Sequence, residues 1–239
     1  MFRGVFDGEG HVISNITIRK KLGAVGLFGN NGGMIKNVHV RLADIESYGY
    51  SAAGGIAGSN QGIIMGCSFE GKLSMGDRVG GIAGENYGSI VICYMINLHE
   101  RHIHKYCSDN YYGGIAGQNT GNLFACYSNY FKYHVLHLEN RFQFGIVTGN
   151  NIGKISHCYW LPSNNKNYYW MPPSNKKIMT RGIGNQQCED VTICTNEDVT
   201  DILNSSLDSS PVFCEYKFSG KWPDWKFERR TEEDGVIEI

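Results

Sequence analysis

Apolar residues between positions 1 and 160 come in short runs that alternate with polar ones and are cut by glycine and asparagine. The clearest unit is GGIAGSNQG from Gly54, repeated as GGIAGENYG from Gly80 and GGIAGQNTG from Gly113. Two looser copies flank these, VGLFGNNGG from Val25 and GIVTGNNIG from Gly145. Aligning the copies on one asparagine gives Asn31, Asn60, Asn86, Asn119 and Asn151, at spacings of 29, 26, 33 and 32 residues. A glycine recurs two residues before each asparagine and another two residues after it. Each copy reads as a short apolar strand, a Gly/Asn turn and a second strand of I-x-x-C-Y type, with alternation of period two. Paired glycines are expected to permit positive φ at the corners.

A repeat whose length varies by several residues excludes coiled coils and collagen, which need strict registers. It fits a solenoid with variable loops along one edge, in which stacked units share a core that no single unit could bury. The expected fold is all-β, a right-handed parallel β-helix of about five repeat coils. Residues 1–160 form the repeats and residues 161–239 a C-terminal capping region with a short helix. In the cap, Val199, Ile202 and Leu203 give one apolar helix face, with Thr195 and Asp198 as a weak capping signal. The charged ending FERRTEEDGVIEI reads as a last strand.

Stacking makes each repeat position a row along the axis. Seven residues after each asparagine stand Val38, Cys67, Cys93, Cys126 and Cys158, expected as an inward row of buried, reduced cysteines. The next residue faces outward: His39, Ser68, Tyr94, Tyr127 and Tyr159. The three tyrosines are expected to form an exposed aromatic row, a platform for sugar rings or a cross-strand stabiliser.

These residues resemble a known family. The copies G-G-I-A-G-x-N-x-G followed by I-x-x-C-Y are similar to the GLUG repeat of bacterial surface proteins, and FRGVFDGEGHVISNITI (Phe2 to Ile18) resembles the strand, D-G-x-G turn and strand that precede such repeats. The tail, with C-Y-W-L from Cys158, I-L-N at Ile202 to Asn204 and tryptophans at Trp222 and Trp225, resembles the end of such arrays more weakly. The resemblance implies a secreted or surface-attached β-helix within adhesin-like proteins, some of which carry an immunoglobulin A peptidase elsewhere in the chain. It brings no catalytic residues.

Composition changes this picture little. The chain of 239 residues has a formal charge of -1, no footprint for nucleic acid. No apolar run approaches the roughly 20 residues of a membrane span, so no membrane insertion is expected within this chain. The opening MFRGVFDGEG has no charged start and apolar core of a signal peptide and begins inside a motif, so a fragment of a longer chain is expected. One disulfide among Cys188, Cys194 and Cys214 is open in an oxidising compartment, with Cys107 likewise unassigned.

The stretch HERHIHKYC, from His99 to Cys107, nearly matches the metalloprotease motif H-E-x-x-H. That motif needs histidines at i and i+4 on a helix, and the partner position holds Ile103. The stretch is an insertion between repeats, as is NYFKYHVLHLENRF from Asn129, and both should leave the solenoid at the same edge. Their expected role is recognition of glycan or host protein through Tyr106, Tyr111, Tyr112, Tyr130 and Tyr133, together with Tyr94, Tyr127 and Tyr159. A composite metal site from His102, His104 and His134 is the minority reading. The acids Asp7, Asp77, Glu85, Glu100, Asp109 and Glu139 fall at turns and loops, no nucleophile triad or phosphate loop is visible, and no cofactor is expected. The sequence thus points to a non-catalytic binding or adhesion module. A glycan-active β-helix enzyme (polysaccharide lyase or hydrolase) and a passive stalk are the alternatives.

Overall fold

The computed structural model describes residues 1–48, 51–74, 76–100, 110–129, 131–132, 142–161, 168–171, 176–179, 191–193, 199–220 and 225–231. The chain winds as a parallel β-solenoid, and each coil contributes one strand to each of four sheets. The first sheet stacks Gly23–Val25, Ser51–Gly54, Arg78–Gly80, Asn110–Gly113 and Phe142–Gly145; the second stacks Phe28–Asn31, Ala57–Asn60, Ala83–Asn86, Ala116–Asn119 and Thr148–Asn151. The third runs from Val5–Asp7 through Met34–Lys36, Ile63–Met65, Ser89–Val91 and Asn122–Phe124 to Lys154–Ser156. The fourth runs from Val12–Ser14 through His39–Ser47, Ser68–Ser74, Tyr94–Glu100, Tyr127–Asn129 and Cys158–Leu161 to Val191–Ile193. Neighbouring strands pair in parallel within all four sheets, as in Asn60 with Asn86 and Ile64 with Ile90.

The repeat asparagines form the row that their alignment requires. Asn31 Nδ2 donates to Asn60 Oδ1 at 2.8 Å, and Asn60 to Asn86 and Asn86 to Asn119 at the same distance. Asn119 donates to Asn151 at 2.7 Å. Each of these Nδ2 groups also approaches the carbonyl of the glycine two residues on, at 3.2–3.3 Å. Asn31, Asn60, Asn86 and Asn119 reach a third acceptor in the following coil. The side chains are buried, so this saturation removes the cost of placing an amide in the interior.

The glycine after each asparagine is required by close approach. A Cβ on Gly62 would lie 2.0 Å from the carbonyl oxygen of Gly33, and one on Gly88 equally close to that of Gly62. The expectation of positive φ at the paired glycines is corrected: the left-handed corner falls six residues after each asparagine, at Asn37, Gly66, Ile92, Ala125 and His157. Ile92 has φ 56°, a conformation that costs an L-residue roughly 1–2 kcal/mol. Its side chain is fully buried in the cluster under the C-terminal region, which offsets that cost.

Inward rows fill the solenoid. Ile35, Ile64, Ile90, Leu123 and Ile155 come from the third sheet, and Ile56, Ile82, Ile115 and Val147 line the corner between the first two sheets. Val38, Cys67, Cys93, Cys126 and Cys158 form the expected inward row, all fully buried, with the four cysteines unpaired. Burial pushes the Cys93 and Cys158 thiols up, away from the reactive thiolate.

After residue 160 the described residues extend and cover the solenoid. Val191–Ile193 extends the fourth sheet past Cys158–Leu161 at the end of the stack. The helix Val199–Asp208 and the antiparallel hairpin of Tyr216–Ser219 and Lys226–Arg229 cover a flank of the solenoid, where an end cap was expected. Val199, Leu203, Leu207, Phe218 and Trp225 pack there against Val91, Ile92, Tyr94, Ile96, Ala125 and Tyr127. The helix follows the expected face, with Val199 and Leu203 buried and Ile202 half-buried. A strand also forms at Lys226–Arg229, which takes in the first three residues of the charged ending, Phe227 to Arg229.

Replacing Asn86 by Leu leaves the Asn60 amide without its acceptor and the Asn119 carbonyl without its donor. The expected loss is on the order of 3 kcal/mol in urea unfolding, against about 0.5 kcal/mol for the neighbouring Glu85→Gln. Thiol labelling of the native protein, resolved by peptide mass spectrometry, should leave Cys67, Cys93, Cys126 and Cys158 unmodified until global unfolding. Rapid labelling of any of the four would contradict the packed cysteine row.

Candidate functional site

The row His39, Ser68, Tyr94, Tyr127 and Tyr159 is in register along the fourth sheet. Strand alternation turns it away from the solenoid core, as expected, yet the exposed aromatic platform is not there. The C-terminal helix and hairpin lie over it. Trp225 meets the Tyr94 ring edge-on at 5.1 Å and the Tyr127 ring at 5.8 Å, while Tyr94 Oη donates to Trp225 O. Tyr127 is fully buried, and Tyr159, half-buried, shares a hydrogen bond of 2.9 Å with Ser206 Oγ. The tyrosines therefore anchor the C-terminal region, a role invisible from the repeat because the residues that cover them lie far downstream.

Tyr112 is also removed from the candidate surface. It points into the core, stacks on Phe144 at 5.2 Å and donates from its hydroxyl to Gly76 O at 3.0 Å. Tyr111 alternates to the outer side of the first sheet and is partly exposed, in register with Arg78 and Gln143. Tyr106, Tyr130 and Tyr133, and the metal candidates His102, His104 and His134, lie outside the described residues. Residues 99 and 100 belong to the strand Tyr94–Glu100, so the helix that H-E-x-x-H requires does not start there. Backbone pairing of Leu98 and His99 with Phe131 and Lys132 brings the two insertions together where they begin. Among the described residues, no group of three or more His, Cys, Asp or Glu side chains is placed to hold a metal ion.

The site that the structure does build is a groove where the N-terminal turn, the fourth sheet and the C-terminal hairpin meet. Its volume is about 590 Å³, and its walls are Glu9, Gly10, His11, Val12, Asn37, His39, Arg41, Tyr94, Trp225, Lys226, Phe227 and Glu228. The DGEG turn shapes one wall. Asp7 Oδ1 accepts from the Glu9 amide at 3.0 Å, Asp7 Oδ2 pairs with Lys36 Nζ at 2.8 Å, and Gly10 N donates to Asn37 O. The Lys36 contact, helped by the Glu9 amide, holds the Asp7 carboxyl below its usual range. Glu9 and Gly10 both take positive φ, which presents Glu9 and His11 along the groove. The motif was legible in the sequence; its meeting with Trp225 and Lys226, more than 200 positions later, was not.

His39 is the buried titratable group of this site. Its Nδ1 lies 2.7 Å from Ser68 Oγ. Desolvation, then the nearby Arg41 cation, lowers its pKa from 6.5 to about 4, so the imidazole is neutral near pH 7. The Ser–His spacing invites comparison with a nucleophile and base, but Ser68 is only 1% exposed and closed to a substrate. The pair is a buried hydrogen bond at the groove wall that His39 lines.

No family model and no curated protein matches the chain. A solved structure does: that of a candidate immunoglobulin A1 protease from Bacteroides ovatus, with a TM-score of 0.54 and 17% identity over 94% of this chain and 76% of that one. The two share the β-solenoid fold. This match corrects the expectation of a non-catalytic module, because the same fold occurs in a chain described as a protease and the class of fold does not exclude catalysis.

Between about pH 6.5 and about 4 the unfolded chain binds a proton at His39 that the folded protein rejects. Stability should therefore fall as pH drops through that window and level off below it, by about 3 kcal/mol for this group. Urea unfolding of wild type and His39→Gln at pH 7 and pH 4 measures this as a change in their difference. A pH-independent difference would contradict a neutral buried imidazole.

Proposed function

We propose that the chain is a β-solenoid recognition module of a secreted or cell-surface protein, binding a host glycoprotein. Residues 1–160 serve as the scaffold and residues 161–239 as its covering region. The observation that carries this reading is the groove between the N-terminal turn and the C-terminal hairpin. It gathers aromatic residues and four charged side chains, Glu9 from the turn, Arg41 from the fourth sheet, and Lys226 and Glu228 from the hairpin, the composition of a recognition site. The resemblance of the repeats to the GLUG motif of surface proteins supports the location. The description of the Bacteroides ovatus neighbour supports immunoglobulin A1 as the first partner to try. That description also favours a second reading, in which the bound partner is cleaved.

One experiment reads both. The full chain is immobilised and immunoglobulin A1 passed over it, and a parallel incubation is followed by gel electrophoresis. Retention with a dissociation constant of roughly micromolar or better, weakened by Lys226→Glu, is the expected result. Appearance of discrete fragments would establish the second reading. Absence of retention by wild type and of cleavage would remove immunoglobulin A1 as the partner, and equal retention by Lys226→Glu would move the contact away from the groove.

A further inference from the structure

We propose that the outer face of the third sheet carries a second site, for a long-chain carboxylate of the fatty-acid type. It shares no residue with the groove described above and does not depend on the recognition reading. In this sheet Ile35, Ile64, Ile90, Leu123 and Ile155 point inward, so their neighbours point outward. One outward row runs Met34, Ile63, Ser89, Asn122 and Lys154 in register. The row beside it runs Met65, Val91, Phe124 and Ser156. Both rows begin apolar and end polar, so the face changes along the axis from methionine and isoleucine to hydroxyl and ammonium. The turn after the C-terminal helix makes this face a groove: Phe213 stacks on Phe124 at 5.4 Å, and Val212, 65% exposed, lines the same cavity.

The cavity holds about 540 Å³ and reaches from Met34 to Lys154, four strand spacings or roughly 19 Å. Such a volume drawn out over such a length is narrow, the shape of one polymethylene chain. Ile63 is 37% exposed, and Met34 and Met65 are half-buried, apolar surface that a chain removes from water. The two thioether side chains adapt to a flexible tail. Charge then fixes the head group. The walls carry two charged side chains, and one of them, Glu215, is paired with Arg229. The other, Lys154, is exposed at the polar end and forms no ion pair among the described residues. Asn122 and Ser156 flank it on the same face and add neutral hydrogen-bonding groups. A carboxylate there gains a charge partner, an alcohol gains hydrogen bonds alone, and an alkylammonium is repelled. The tail lies toward Ile63 and Met34.

The test is calorimetric titration of the full chain, below the micellar concentration, with saturated carboxylates of increasing chain length. The alcohol and the alkylammonium matching the longest of these that binds are titrated as well. Affinity should rise roughly tenfold for each two methylenes and level off once the chain spans the groove. The alcohol should bind roughly three- to fivefold more weakly than the carboxylate. Lys154→Ala, at an exposed residue, should remove that difference, leave the alcohol unchanged and keep the unfolding midpoint. Ile63→Gln, at an outward position, should weaken carboxylate and alcohol alike by roughly tenfold. The proposal is overturned if no carboxylate binds, if the alcohol or the alkylammonium binds as tightly, or if the preference survives Lys154→Ala. Binding of anionic phospholipid vesicles without binding of free carboxylate also overturns it, and makes this face a membrane contact.

Discussion

In the asparagine ladder each Nδ2 donates across about one strand spacing to the Oδ1 of the next coil and also faces backbone carbonyls on both sides. An amide satisfied in this way has one position along the axis, so the ladder fixes the register of every coil. The glycine two residues later follows from it, because the coils approach so closely at that corner that no side chain fits. The inward rows of isoleucine and cysteine follow in turn, since register decides which residues stack.

Much of this was legible in the sequence. The asparagine alignment, the cysteine row and the placement of both insertions between coils all depend on a repeat that the chain prints openly. The left-handed corner was not, because its occupants, Asn37, Gly66, Ile92, Ala125 and His157, share no residue type and only one of them is glycine. The tyrosine row was assigned to the correct side of the strand but to the wrong environment. Alternation reports that Tyr94 and Tyr127 point away from the core; whether water or Trp225 lies beyond depends on a helix and hairpin outside the repeat.

That covering region makes the groove. A bare solenoid presents nearly flat faces, and a concave site needs something laid across one of them. Here the DGEG turn at one end of the chain and the Lys226–Arg229 strand at the other meet over the fourth sheet, with His39 kept neutral beneath them by burial. The site is therefore composite, which explains why no short motif announced it. The comparison with a solved solenoid shows the fold and leaves the chemistry to the residues of this chain, whose groove is lined by charged, amide and aromatic side chains.

Everything above depends on the ladder being continuous, and nuclear magnetic resonance of the asparagine side-chain amides tests that most directly. In a chain labelled with nitrogen-15 at asparagine, the Nδ2 protons of Asn31, Asn60, Asn86 and Asn119 should exchange with solvent only on the timescale of global unfolding, and each should show cross-strand contacts to the asparagine of the next coil. Side-chain amide protons at these four positions that exchange as fast as those of an exposed asparagine would contradict the ladder, and with it the register on which the fold and the groove rest.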